Sequence, residues 1–204
     1  ILEGMRRRFI PSCPTLEPRP GERAVYCGFL DEPPALTPTP RDCVLVYLGA
    51  GSVPAGVAIR AGQELADALG CDVYVAGVPE AVRISGGYTV ACAPRFDFAE
   101  LLPRARVFVH HGGQNSMMDA LSYEVPQVLV PGRVFERQFN AEAVESARCG
   151  LTVREPKPTL IARAARRLVV DEPALTSGIR GLRAELSSLG GTKRIVREVE
   201  KLVS

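Results

Sequence analysis

The chain has 204 residues and a mass of 22.0 kDa, with 46% hydrophobic and 24% charged residues, enough for one substantial core or one domain with an appendage. A net charge of +2 gives no sign of a polyanionic partner, and the basic residues from Arg154 to Lys201 fall at helical spacing among apolar ones, which reads as solvated helix faces and not as a nucleic-acid surface. No apolar run reaches the roughly 18 residues of a membrane span and no signal peptide is visible, so a cytoplasmic protein is expected.

Residues 1–42 hold eight of the 17 prolines, close with Thr37-Pro-Thr-Pro40, and show no sustained period. Only Ala24-Val-Tyr-Cys-Gly28 resembles a strand. The stretch is expected to be a linker or N-terminal extension lying along a domain surface. The chain opens Ile1-Leu2-Glu3 with no initiator methionine, as expected of a processed product or a piece of something longer.

From Cys43 the pattern alternates. Val44–Leu48 reads as a buried strand, Gly49–Ser52 as a turn, and Pro54 opens a helix to Leu69 whose Val57, Ala58, Ala61, Leu65 and Ala68 share a face. Strands follow at Asp72–Ala76 and, after Gly86-Gly87, at Tyr88–Cys92. A short helix spans Phe98–Leu102 and a fourth strand Arg106–His110. Beyond the next helix come a strand at Gln127–Val130, a helix over Arg137–Arg148 closed by Gly150, and an edge strand at Leu151–Val153. Helices over Thr159–Val170, Pro173–Leu189 and Lys193–Leu202 complete the chain. Strands separated by helices predict right-handed β–α–β units, hence an α/β, Rossmann-like parallel sheet with helices on both faces. The six cysteines are scattered with no C-x-x-C pair, and are expected to be small buried hydrophobes in a reducing compartment, with neither a metal site nor a disulfide framework.

The chain is organised around Val107-Phe-Val-His-His-Gly-Gly-Gln-Asn-Ser-Met-Met-Asp-Ala-Leu-Ser-Tyr123. A β-branched and aromatic strand runs into Gly112-Gly113 and then into a helix with Met117, Ala120 and Leu121 on one face, capped by Asn115 or Ser116. Such a unit gathers unpaired N–H groups and the positive end of a helix dipole at one point, a ready anion site with phosphate first among candidates. His111 can donate to a phosphate oxygen, Gly51-Ser52 offers a second N–H and hydroxyl cluster, and Asp119 stands one turn along, where a carboxylate can accept from ribose hydroxyls. In a parallel sheet ligands sit beyond the carboxyl ends of the strands, and the turns at Gly49–Ser52, Ala93–Asp97, His110–Ser116 and Pro131–Asn140 all lie on that edge.

Phe108-Val-His-His-Gly-Gly-Gln-Asn-Ser-Met-Met-Asp-Ala-Leu121, then Val125-Pro-Gln-Val-Leu-Val-Pro131, then Glu136-Arg-Gln-Phe-Asn-Ala141 and Gly150 resemble the donor-site signature of GT-B-fold nucleotide-sugar glycosyltransferases. These are the UDP- and TDP-sugar-dependent enzymes that decorate small molecules and natural products, macrolides among them. The similarity runs from about Cys43 to the C-terminus. It implies a diphosphate site made by Ser52, His111, Gly112, Gly113, Asn115 and Ser116, and ribose binding by Asp119. It implies base binding through the backbone at Ala93, with Phe96 stacking or packing in the core, and sugar contacts from Glu136, Arg137 and Gln138, without a metal. His110 is read as structural. Asp119 is one methylene shorter than the usual Glu, which points to a longer or water-mediated ribose contact, and Arg137 stands where Gln is frequent, which opens the identity of the donor sugar.

In this family the acceptor pocket and general base lie in an N-terminal domain. None precedes Cys43 here, so residues 43–204 are expected to be a donor-binding domain, the C-terminal half of a GT-B fold, inactive alone and needing an acceptor domain in cis or in trans. The alternatives are a non-catalytic nucleotide-sugar-binding module and a GT-B-like sugar-nucleotide epimerase or hydrolase. A nicotinamide dehydrogenase is disfavoured because no G-x-G-x-x-G follows the first strand.

Overall fold

A computed structural model describes residues 7–19, 21–49 and 53–203. Nine strands and seven α-helices are present among them. Two short strands, β1 (Arg8–Ile10) and β2 (Ala24–Tyr26), pair in parallel. The remaining strands are β3 (Cys43–Tyr47), β4 (Asp72–Ala76), β5 (Val82–Ser85), β6 (Thr89–Ala93), β7 (Ala105–His110), β8 (Gln127–Leu129) and β9 (Gly150–Thr152). They form one sheet in the order β5-β6-β4-β3-β7-β8-β9, parallel except for the antiparallel edge strand β5. The helices are α1 (Ala55–Leu69), α2 (Phe98–Leu101), α3 (Gln114–Ser122), α4 (Phe135–Ser146), α5 (Pro158–Arg166), α6 (Ile179–Ser188) and α7 (Gly191–Val203).

The side chains of β3 and β7 alternate between two apolar layers. Val44, Val46, Val107 and Val109 join Ala58, Ala61 and Leu65 of α1 and Ile161 and Ala165 of α5 on one face. Leu45 and Phe108 point the other way, to Leu101, Leu102, Ala120 and Val125. A sheet buried on both faces explains why its strands read as nearly continuous hydrophobic runs. A further apolar cluster joins Met117 and Leu121 of α3 to Ala141 and Val144 of α4 and to Ile179, Leu182 and Leu186 of α6. Cys13, Leu16 and Phe29 complete that cluster, so the N-terminal segment supplies buried side chains from residues 13 to 29. All six cysteines are buried and unpaired, and burial pushes the thiols of Cys43 and Cys149 up to about 11 and about 12.

From β3 the chain winds outward through β4 to β6, then returns to place β7 on the opposite side of β3. The crevice between β3 and β7 is therefore the topological switch point, where open α/β sheets bind ligands. The backbone joins across it: the His111 N–H donates to the Tyr47 carbonyl at 3.2 Å.

Three elements differ from expectation. β1 and β5 were not anticipated; both are short, and β5 is an exposed edge of only four residues. The long helix expected over Pro173–Leu189 is a 3₁₀ turn at Pro173–Thr176 followed by α6. It breaks at Gly178, whose N–H donates to the Arg148 carbonyl at 3.1 Å and whose Cα lies so close to the Ala147 carbonyl that a Cβ there would overlap it.

Candidate functional site

α3 begins at Gln114, with Gly113 as its N-cap in extended conformation and no side-chain cap. The expected caps, Asn115 and Ser116, are instead first-turn residues: Asn115 is exposed and Ser116 buried. The reason is local. The Gly113 carbonyl already accepts from the Met117 N–H at 3.0 Å, so the helix starts as soon as the glycine pair has turned the chain. The first N–H groups of a helix have no intrahelical acceptor. With no side chain among the described residues capping them, those of α3 point their partial positive charge into the crevice at the β7 carboxyl end.

His111 stands at the same point, held by the absence of two side chains. A Cβ at Gly49 would lie 2.9 Å from His111 Cδ2, and one at Gly113 would lie 2.9 Å from Cε1 and 3.0 Å from Nε2. Tyr47 packs edge-on to the ring, with centroids 5.3 Å apart. Nδ1 is buried with no hydrogen-bond partner among the described residues. An N–H there would be an orphaned buried donor, which is costly. Nε2 is therefore the ring nitrogen left to meet a ligand, and in the tautomer protonated there it is a donor. Burial lowers the His111 pKa, the Arg137 guanidinium lowers it further, and the Glu136 carboxylate opposes both. An anion arriving at the ring would raise it.

Gly112 has φ +83°, and a Cβ there would meet the Arg137 carbonyl oxygen at 3.0 Å. The start of α4 thus packs directly on the glycine turn, bringing Glu136 and Arg137 beside His111. Glu136 lies in the first turn of α4 and is exposed, and Arg137 is half-buried. The Gln138 side chain donates to the Gly132 carbonyl at 2.9 Å and braces the preceding loop. Val134, Phe135 and Phe139 are exposed around this turn, Phe135 at 82%.

On the flank of α3, Asn115, Met118, Asp119, Ser122 and Tyr123 face Gly28–Pro34 across a cleft of about 480 Å³. Asp119 keeps an exposed surface, yet partial loss of water around its carboxylate raises its pKa. Burial raises the Tyr123 pKa, with added repulsion from Asp119 and Asp97. In the loop after β6, Phe96 belongs to the apolar layer that holds Ala120 of α3 and Tyr123. In that loop the carbonyls of Ala93 and Pro94 accept from the N–H groups of Val78 and Gly77, and the Phe96 ring packs edge-on to Tyr74 at 5.4 Å. Ser52 lies outside the described residues.

The structure thus brings His111, Gly112, Gly113, Glu136 and Arg137 together at one point, with Asn115, Ser116 and Asp119 along α3 from it. Sequence reasoning reads His110 as structural and gives Asn140 no role of its own, and misses that the two together hold the turn. Asn140 Nδ2 donates to the Gly112 carbonyl at 2.9 Å, and His110 Nδ1 accepts from the Gly112 N–H at 3.1 Å. The available signal was the position of Asn140 one helical turn after Glu136. Among the described residues no group of three or more His, Cys, Asp or Glu could hold a metal ion, and no helix is long and apolar enough to cross a membrane.

Residues 70–202 match the family model described as "Erythromycin biosynthesis protein CIII-like, C-terminal domain". The aclacinomycin-T 2-deoxy-L-fucose transferase of Streptomyces galilaeus is 27% identical over 188 residues, which are 89% of this chain and 42% of that protein. Among solved structures, the kitacinnamycin glycotransferase superposes with a TM-score of 0.80 at 21% identity, over 96% of this chain and 54% of its own. The glycosyltransferase SsfS6 of Streptomyces sp. SF2575, solved with thymidine diphosphate, gives 0.64 at 26% identity, over 90% of this chain and 50% of its own. In each case the chain spans about half the length of the relative it matches.

Proposed function

The chain belongs to the erythromycin biosynthesis protein CIII-like C-terminal domain family, and from that premise we propose that it is the donor-binding half of a glycosyltransferase that moves a sugar from a UDP- or TDP-sugar to a small-molecule acceptor. The observation that carries the reading is the N-terminus of α3, uncapped among the described residues, beside His111 at the switch point of the sheet. Residues 43–204 are the donor domain, and residues 1–42 connect it to an acceptor half, in cis or in trans, that supplies the acceptor pocket and the general base.

In the proposed complex the diphosphate lies against the first-turn N–H groups of α3, with His111 Nε2 donating to a phosphate oxygen. As the glycosidic bond breaks, negative charge grows on the leaving diphosphate. The fixed dipoles of the turn and the imidazole then hold that charge more strongly than they held the intact donor, which lowers the barrier. An imidazole kept neutral in the free site gains affinity for its proton as this charge develops, so the same group that binds the donor stabilises its departure. No metal is required by this scheme. Asp119 accepts from the ribose, the loop at Ala93 and Phe96 receives the base, and Ser52 adds a hydroxyl at the diphosphate.

Glu136 orders the sugar hydroxyls, with Arg137 and Gln138 at its side. The exposed Val134, Phe135 and Phe139 around it suit a sugar with few hydroxyls, in keeping with the 2-deoxy sugar named for the Streptomyces galilaeus relative. A cytoplasmic location and the absence of a nucleic-acid partner complete the reading. Calorimetric titration with TDP, UDP and TMP tests it. The diphosphates are expected to bind and the monophosphate to bind more weakly; no binding by either diphosphate, or equal binding of TMP, would overturn it.

A further inference from the structure

Behind the diphosphate candidate lies a set of buried polar groups that the proposed chemistry never touches. His110 has no exposed surface, and its Nε2 is 2.9 Å from Gln127 Oε1. Its Nδ1 is the acceptor for the Gly112 N–H, while Asn140, also buried, donates to the Gly112 carbonyl. Side chains from the end of β7 and from α4 thus hold both polar groups of one glycine, and β8 holds the first of them in place.

These bonds fix the state of the imidazole. A backbone N–H can only donate, so Nδ1 must be the bare nitrogen and the ring proton sits on Nε2, pointing at Gln127 Oε1. The Gln127 amide nitrogen is then left buried without a partner among the described residues. An apolar pair at 110 and 127 would fill the same space and remove that orphan, but would leave the buried Gly112 N–H without its acceptor. The arrangement is therefore not one that packing alone favours, and its product is a specified conformation at Gly112. Glycine visits positive and negative φ about equally, so the turn at φ +83° needs an outside constraint to hold it.

We infer that His110 is a positioning residue of the diphosphate site: it locks the Gly112 peptide so that His111 and the first N–H groups of α3 stand preset for the anion. The inference rests on the diphosphate reading above. His111 is the next residue along the chain and its ring is wedged between Gly49 and Gly113, so a swing of the Gly112 peptide displaces the ring and the helix start together. Presetting both removes an ordering step from nucleotide binding.

Two substitutions separate this role from mere packing. His110→Asn sets an amide oxygen near the place of Nδ1 and keeps an acceptor for Gly112. His110→Gln sets its amide near the place of Nε2, keeps a partner for Gln127, and loses the Gly112 acceptor. In calorimetric titration of the 204-residue chain with TDP and UDP, His110→Asn is expected to retain affinity within about threefold and His110→Gln to lose about tenfold, at comparable thermal midpoints. Equal losses in the two variants, or losses that track the midpoints, would overturn the inference alone. A wild-type chain that binds neither nucleotide would overturn it together with the reading it rests on. Long-range proton–nitrogen NMR of the wild-type chain tests it without any variant: a proton on His110 Nε2 is expected, and one on Nδ1 would overturn the inference.

Discussion

Acid should weaken this fold through one side chain. Burial of His110 strips water from its charged form and holds its pKa down at about 3, against the Gln127 hydrogen bond that favours protonation and together with a further lowering by His111. In the unfolded chain an imidazole protonates near 6.5. Between those values the unfolded state carries one proton more than the folded state, so stability is complete above the unfolded value and is lost as the pH falls below it. Going from about pH 7 to about pH 5, this single group costs about 2 kcal/mol. The measurement is urea unfolding of the wild-type chain and His110→Asn at both pH values. The variant is less stable throughout, but its loss between the two pH values should be smaller than that of the wild type by about 2 kcal/mol. Taking the difference cancels the other titrating groups, including His111, the only other histidine of the chain, whose pKa is lowered in the same direction. Parallel pH profiles would refute the assignment of a buried neutral imidazole at 110.

Gly113→Ala places a Cβ 2.9 Å from His111 Cε1 at a backbone conformation any residue can adopt; nucleotide affinity should fall about tenfold while urea stability changes by less than about 1 kcal/mol. Gly178→Ala drives a Cβ into the Ala147 carbonyl, so its unfolding midpoint should drop by the equivalent of about 1–3 kcal/mol with nucleotide affinity kept. Phe108 is fully buried, 5.5 Å from the Phe98 ring and 4.8 Å from that of His110; truncation to Ala should cost about 3–5 kcal/mol in chemical denaturation.

The central strand, its glycine pair and the helix after it were legible because three signals coincide there: a β-branched and aromatic run, two adjacent glycines, and apolar residues at helical spacing. That β3, β4, β6, β7 and β8 form a parallel sheet was legible from the strand–helix alternation of the chain; their order in it was not. β5 was not legible, since four residues of an exposed edge strand bury too little to impose a pattern. The split of the expected Pro173–Leu189 helix depends on how closely Gly178 approaches Ala147, a tertiary contact that local propensity does not carry.

The same limit governs the site. His111 and the Gly112-Gly113 pair could be found because they adjoin one another in sequence. The helix start was misjudged by reading Asn115 and Ser116 as caps, where the glycine turn itself begins α3. His110 read as structural. What could not be read was that it acts with Asn140 on a single glycine, from positions thirty residues apart. The N-terminal segment was similarly opaque: its prolines conceal the few side chains, Cys13, Leu16 and Phe29, that enter the core beside α3 and α6.

A diphosphate held between His111 and the start of α3 is the core of the proposed site. Side-by-side calorimetric titration of TDP into the wild-type chain and His111→Ala tests that most directly. Loss of a charge-assisted hydrogen bond predicts affinity at least about tenfold weaker in the variant, with the fold retained. Equal affinity in the two chains would contradict it.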